Sequence, residues 1–334
     1  MPDNFLSLPV EERRQVFAEA GLTLETAPGI LQKDVWVCWC LETLFHMPNR
    51  KAMAFKGGTS LSKVFSAINR FSEDIDVTID HRDLIPDIDP FDDSRSRNQR
   101  KRDASELQEA VRRYVVEVIA PHFQDCLDAQ FVGQGIKASA VENGDELHVL
   151  YPSALDASNP YLKELVKLEF GGRNITDPKM EHEVKPILAS LVPKVQFPVA
   201  MVDVLSGERT FWEKATLAHV ECNKASVRGA ERLSRHWYDL YVLADHSIGR
   251  SALQDRALLA DVVKYKKVFY NSATANYDEC LTGEFKLVPS EEGLASLRGD
   301  YEAMVSARMI YGPMPDFAEI VERLKSLTVE INAV

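Results

Sequence analysis

The sequence has no long apolar run. Its longest, Val35 to Leu41, falls far short of the ~20 residues that a helix needs to cross a bilayer, which excludes a membrane-spanning helix. The opening Met1-Pro-Asp-Asn-Phe5 lacks the basic start, apolar stretch and small-residue cleavage site of a secretory signal, so a cytoplasmic location is expected. Cysteine is scarce: the 5 residues Cys38, Cys40, Cys126, Cys222 and Cys280 are scattered and odd in number, which excludes a disulfide framework. Cys38 and Cys40 form a C-x-C with no second pair, and they read as core thiols rather than a metal site. Positive charge is also short. With 39 Lys and Arg against 51 Asp and Glu the net charge is -12, so a generally polyanion-binding surface is excluded and any nucleic acid must meet a local patch. Arg95, Arg97, Arg100, Lys101 and Arg102 form the candidate, directly after an acidic stretch carrying Asp87, Asp89, Asp92 and Asp93. It reads equally as a solvated loop and helix start or as a grip on a polyanion.

What is present is a folded chain. At 334 residues, 45% hydrophobic and 27% charged, it has ordinary globular composition and exceeds what one core usually holds. Two domains are expected, residues 1–205 and 206–334. No internal repeat or low-complexity tract interrupts them.

Apolar residues recur at helical spacing over residues 9–20 and 31–45, then over 59–68, where Leu61, Val64, Phe65 and Ile68 line one stripe. Residues 74–80 alternate strictly, so Ile75, Val77 and Ile79 share one strand face while Asp74, Asp76, Thr78 and Asp80 share the other. A strong amphipathic helix is expected over 106–123, with strands over 129–141, 146–151, 165–170 and 199–205. Asn143-Gly144 suggests a hairpin, and the stretch from Pro152 to Pro160 a loop. Beyond it the pattern is mainly helical, with helices over 207–224 and 228–245; Thr210-Phe-Trp-Glu213 has the T-x-x-E arrangement of a helix start. The fold class is therefore α/β (α+β), a mixed sheet with flanking helices followed by a helical domain, and the active site is expected between them.

Two segments carry the chemistry. Lys56-Gly57-Gly58-Thr59-Ser60 stands between a strand candidate and a helix, where backbone amides can cradle phosphate oxygens. One helix and a return turn later comes Arg70-Phe-Ser72-Glu-Asp74-Ile-Asp76. Carboxylates at i and i+2 of a strand point the same way, roughly 7 Å apart, and can hold two ions against a triphosphate. Mg²⁺ suits such sparse carboxylate ligation, completed by phosphate and water. A merely exposed strand face would carry mixed signs instead.

Gly57-Gly-Thr-Ser60, the helix after it and Arg70-Phe-Ser-Glu-Asp-Ile-Asp76 resemble the opening motifs of the DNA polymerase β-like nucleotidyltransferases. More narrowly they are similar to the AbiEii/AbiGii toxin family, which includes the MenT toxins. Lys33-Asp34-Val-Trp36, Thr210-Phe-Trp-Glu-Lys-Ala215 and His236-Trp-Tyr-Asp-Leu240 extend the resemblance over most of residues 30 to 245. It implies a polymerase β-like nucleotidyltransferase core with a C-terminal helical domain. The implied function is that of a toxin in a toxin–antitoxin or abortive-infection system. Such a toxin uses Mg²⁺ (or Mn²⁺) to transfer nucleotides from a nucleoside triphosphate (NTP) to an RNA acceptor, tRNA being the expected one. A cognate antitoxin encoded nearby is the implied partner.

Carried over by motif, Asp74 and Asp76 are the implied metal ligands. Gly58 and Thr59 contact phosphates, flanked by Lys56, Gly57, Ser60 and Ser72, and Lys214 and Asp239 are the paired residues of the helical half. Thr59 stands where many polymerase β-like enzymes have Ser, which preserves the hydroxyl. Lys214 has the charge to offset a departing pyrophosphate, and its bland alternative is an exposed pair with Glu213 or Glu221. Asp239 lies on a core-facing helix and needs a cation, for which Arg232, Arg235 and Lys214 are candidates. Glu169 is the candidate third carboxylate that deprotonates the nucleophile, although Lys167 on the same face makes a salt bridge an equal account. His219 and His236 stand singly and read as structural or substrate-adjacent. The alternatives are a nucleotidyltransferase acting on a protein or small molecule and a catalytically inactive binding module of a defence system.

Overall fold

The computed structural model describes residues 4–92, 94–142, 144–156, 163–172, 176–224, 232–270, 272 and 274–333, with the side chain of Arg97 left aside. Asp93, Asn143, Pro160 and the helix start expected at Arg228 lie outside the described residues. The chain divides into two compact units, residues 1–64 with 72–205, and residues 65–71 with 206–334.

The first unit opens with helices α1 (Val10–Thr23) and α2 (Pro28–Phe45), followed by strand β1 (Met53–Lys56), α3 (Gly57–Lys63), β2 (Ile75–Ile79) and the single turn α4 (His81–Leu84). Then come α5 (Arg97–Tyr114), α6 (Ala120–Gln130), β3 (Lys137–Ala140), β4 (Glu146–Leu150), β5 (Leu165–Gly171), β6 (Lys179–Val184) and β7 (Ala200–Leu205). The strands form one mixed 7-stranded sheet in the order β3-β4-β5-β2-β1-β7-β6. Its centre pairs β2 parallel to β5 and antiparallel to β1, so the acidic strand lies deepest in the sheet. Helix α2 packs over β7 and β5, with Trp36 stacked on Tyr151 at 5.3 Å. Cys38 and Cys40 are buried free thiols in this layer, and burial pushes Cys38 up to about 12.

Several elements differ from expectation, each for a local reason. The helix expected over 106–123 begins earlier, at Arg97, because Ser96 and Gln99 form a reciprocal capping box. It passes through a π turn at Val115–Ile119 just before Pro121, whose ring nitrogen has no proton to donate. The strand expected over 129–141 shrinks to Lys137–Ala140. Helix α6 runs on to Gln130, and Phe131 turns in against Trp36 and Trp39. Strand β6 was not anticipated, since an edge strand rich in charge carries no apolar alternation to reveal it.

The second unit holds α7 (Gly207–Cys222), α8 (Ser234–Asp245), α9 (Ser247–Gln254), α10 (Arg256–Phe269), α11 (Glu291–Ser306) and α12 (Phe317–Asn332). Helix α7 packs on α8, α9 and α10, while α8 also meets α11 and α12. The expected start at Thr210 is corrected: Ser206 caps α7 by accepting from Arg209 N at 3.2 Å. Thr210 lies buried inside the helix, its hydroxyl donating back to Ser206 O at 3.3 Å. Residues 65–71 join this unit by backbone bonds from Phe71 N to Met309 O at 2.7 Å and from Tyr311 N to Asn69 O at 2.8 Å. The helix expected over 59–68 accordingly stops at Lys63, and Ser66 turns the chain with a φ of 48°. Among the described residues no helix is long and apolar enough to cross a membrane.

Two adjacent residues of α2 anchor the motif-bearing segments of the first unit. Lys33 Nζ meets Glu73 Oε2 at 2.5 Å and donates to Lys163 O at 3.1 Å. Asp34 pairs with Lys63 at the end of α3 and accepts from Ile187 N at 2.7 Å. Burial opposes the Lys63 charge, but Asp34 more than offsets it and holds the ammonium above its ordinary range. The side chains of Lys33 and Glu73 are only 3% and 5% exposed, so removing one partner breaks a buried ion pair and leaves the other charge poorly solvated. Lys33→Met should cost about 3–5 kcal/mol of stability in urea unfolding, most of it regained in the Lys33→Met/Glu73→Leu double variant. Equal losses in the two would show that Glu73 finds another cation.

Candidate active site

Strand β2 buries Ile75, Val77 and Ile79 to within 1% exposure, which turns Asp74 and Asp76 to the opposite face by simple alternation. The parallel partner β5 has the same alternation, burying Val166, Leu168 and Phe170 and turning Lys167 and Glu169 outward. The register pairs Asp76 with Glu169 and Ile75 with Leu168, and one step further along it brings Lys167 beside Asp74. The Lys167 ammonium binds the Glu169 carboxylate of its own strand and lies 3.9 Å from Asp74 Oδ1. Burial would depress Lys167, but the hydrogen bond to Glu169 and the charge of Asp74 outweigh it and raise its pKa.

On the other side of β2, Lys56 is the registered partner of Asp76. Gly57 follows with a φ of +82°, and a Cβ built there would lie 2.1 Å from Asp76 Oδ2. Only glycine lets the chain pass this close to the carboxylate. Gly58, Thr59 and Ser60 are buried in the first turn of α3. The Thr59 hydroxyl donates to the backbone carbonyl of Asp74, tying α3 to the acidic strand, and Ser60 Oγ donates to Gly57 O at 2.9 Å. Ser72 is buried two residues before Asp74. Asp80 is employed elsewhere: it caps α4 and binds Arg82 and Thr176, and the Arg82 hydrogen bond holds it down to about 2.

Among the described residues no three His, Cys, Asp or Glu side chains converge to hold an ion by themselves. Two carboxylates of an oxygen-only set, with room kept by Gly57, match the sparse ligation that Mg²⁺ or Mn²⁺ accepts.

In the second unit Asp239 is fully buried and receives two cations. Arg70 binds it bidentately, Nε to Oδ1 and Nη2 to Oδ2 both at 2.7 Å, and Lys214 Nζ reaches Oδ2 at 2.9 Å. Burial alone would raise Asp239, yet Arg70 and Lys214 overcome it and hold the carboxyl far below its usual range. Lys214 is lowered by its own burial. Its ammonium also lies 3.4 Å from His236 Nδ1, and burial followed by the Lys214 charge pushes the pKa of that imidazole well below its ordinary value. His219 serves structure, bonding Asn276 O at 3.2 Å and accepting from Lys286 N at 3.1 Å.

Asp74, Asp76, Glu169, Lys56 and the Gly57–Ser60 turn are thus gathered on one sheet, while Lys214 and Asp239 meet in the helical unit. The Asp239 partner outside the expected set is Arg70, whose only signal was its place at the head of Arg70-Phe-Ser-Glu-Asp-Ile-Asp76. The solvated-helix reading accounts for part of the basic run: Arg95 pairs with Asp103 at 3.2 Å and Arg100 reaches Asp92 O at 3.4 Å, while Lys101 and Arg102 are exposed.

Gly57→Ala should displace the Asp76 carboxylate and strain the turn, lowering stability by about 1–3 kcal/mol in thermal or urea unfolding. An unchanged melting temperature would show that Asp76 has room to rotate away.

Residues 39–323 match the family model described as "Nucleotidyl transferase AbiEii toxin, Type IV TA system". A comparison with curated proteins finds no match. Among solved structures, MenT4, a nucleotidyltransferase toxin from Mycobacterium tuberculosis H37Rv, is similar in fold with a TM-score of 0.54 at 17% identity, over 96% of this chain and 90% of that one. With the family model matched over most of its length, the chain belongs to the AbiEii nucleotidyltransferase toxins of type IV toxin–antitoxin systems.

Proposed function

We propose that this nucleotidyltransferase moves a nucleotidyl group from an NTP to an RNA acceptor, with tRNA the favoured class, in the cytoplasm and under the control of an antitoxin encoded nearby. The observation that carries the proposal is the sheet face on which Asp74 and Asp76 stand beside Glu169, against the glycine turn of α3. Asp74 and Asp76 would hold Mg²⁺ or Mn²⁺, which when bound supplies Lewis-acid neutralisation of the triphosphate.

The remaining roles fall to the protein's own groups. The turn from Lys56 to Ser60, with Ser72, binds the phosphates; Thr59 contributes by fixing Asp74 through its carbonyl. Glu169 takes the proton from the attacking hydroxyl, a general-base role that requires it to leave Lys167. Lys214 offsets the charge of the leaving pyrophosphate, and Asp239, clamped by Arg70, holds that ammonium in one place. Two cations share one carboxylate in this trio, so the group as a whole is positive and suits an anion. The exposed Lys101 and Arg102 are the described residues of the basic run best placed to meet RNA phosphate.

The direct test is incubation with each labelled NTP, Mg²⁺ and total cellular RNA. Label entering RNA supports the reading, whereas label entering only protein or a small molecule would redirect it to those acceptors. Asp74→Asn and Asp76→Asn should each abolish transfer while the fold survives, because losing a carboxylate relieves like-charge repulsion; wild-type turnover in either would overturn the metal assignment. Lys214→Ala should lower transfer by about 10²–10³-fold, and Lys214→Arg should retain part of it, since the charge survives but its geometry does not. Equal rates in the two variants would remove the charge argument.

A further inference from the structure

We propose that Lys167 is an internal counter-ion of the acidic site, holding Asp74 and Glu169 before a divalent cation binds and giving way when it does. The inference rests on the reading of Asp74 and Asp76 as metal ligands and concerns what competes with the metal.

Three carboxylates share one face of the β2–β5 pair: Asp74, Asp76 and, in register with Asp76, Glu169. Like charges so placed repel unless a cation is supplied. The register supplies one within the sheet, because the position on β5 that flanks Asp74 carries a lysine. Its ammonium is bound to Glu169 and lies 3.9 Å from Asp74 Oδ1, so it bridges the proposed general base and a proposed ligand.

The same geometry lets the lysine leave. Its side chain is 28% exposed where that of Asp74 is 11% exposed, and its flexible four-carbon stem can carry the charge into water at little cost. A strongly hydrated ammonium and a hard divalent cation seek the same carboxylate oxygens. Occupancy by one therefore opposes the other, and metal arrival frees Glu169 to accept a proton. Lys167 is in this sense a positioning residue for the apo site and a brake on metal loading. A purely structural cross-link predicts no such competition.

Titration of the full chain with Mn²⁺ alone, with free Mn²⁺ followed by electron paramagnetic resonance, tests the idea without any turnover. Lys167→Met should bind Mn²⁺ about tenfold more tightly than the wild type, the effect of removing one like charge from a partly exposed site, while Lys167→Arg should show no such gain. Without metal Lys167→Met should melt below the wild type, and saturating Mn²⁺ should close that gap. Lys167→Gln, neutral and able to hydrogen-bond, gives the same sign should the methionine variant fold poorly. Asp74→Asn serves as the reference. If wild-type Mn²⁺ binding does not depend on Asp74, the metal-site reading fails and this inference with it. If binding depends on Asp74 yet is equal or weaker in Lys167→Met and Lys167→Gln, Lys167 is not a competitor and the inference alone is overturned.

Discussion

Negative charge crowded onto one face of the β2–β5 pair is the constraint from which the rest of the first unit follows. Asp74, Asp76 and Glu169 stand together because two strands with period-two alternation pair in parallel register. Every neighbour then has to tolerate or offset them. Gly57, having no Cβ, leaves free the space that Asp76 occupies, Thr59 grips the carbonyl of Asp74, and Lys167 brings an ammonium to the open side. Behind the strand, Glu73 is neutralised by Lys33, and the adjacent Asp34 holds the far end of α3 through Lys63. One dipeptide of α2 thereby ties down both segments whose spacing matters.

The helical unit solves the opposite problem, a single carboxylate in an apolar interior. Asp239 sits among Trp237, Tyr238 and Leu240, all buried, where an unpaired charge would be costly. A bidentate guanidinium and an ammonium stabilise it, and in return it fixes the direction of both cations. The arginine comes from residues 65–71, which are bound to α8 and to the strand-like Met309–Tyr311 stretch by backbone and side-chain contacts. A segment next in sequence to the acidic motif thus completes the core of the other unit.

Similarity to MenT4 in fold at 17% identity is what such a design allows. Most of the sheet and helix surfaces require only apolar residues of suitable volume. The charged motifs, by contrast, require particular atoms at particular places.

How much was legible beforehand depended on whether the signal was local. Alternation at residues 74–80, the Gly57-Gly58 turn and the helical stripes of α2 and α8 are properties of neighbouring residues, and they disclosed the acidic strand, the glycine turn and the α/β class, whereas the nucleotidyltransferase family was legible only through the resemblance of its short motifs. Helix ends were read less well, because Ser96 and Ser206 compete with other capping residues nearby. Strand β6 was hidden because an edge strand needs charge on its surface more than it needs apolar alternation. What tertiary structure alone decided was which distant charges meet: Arg70 with Asp239 across 169 residues, Lys33 with Glu73 across 40, and Lys167 with Asp74 through strand register. Sequence spacing determines direction within one element, whereas the partner of a buried charge is chosen by sheet order and packing, which no single stretch of the chain contains.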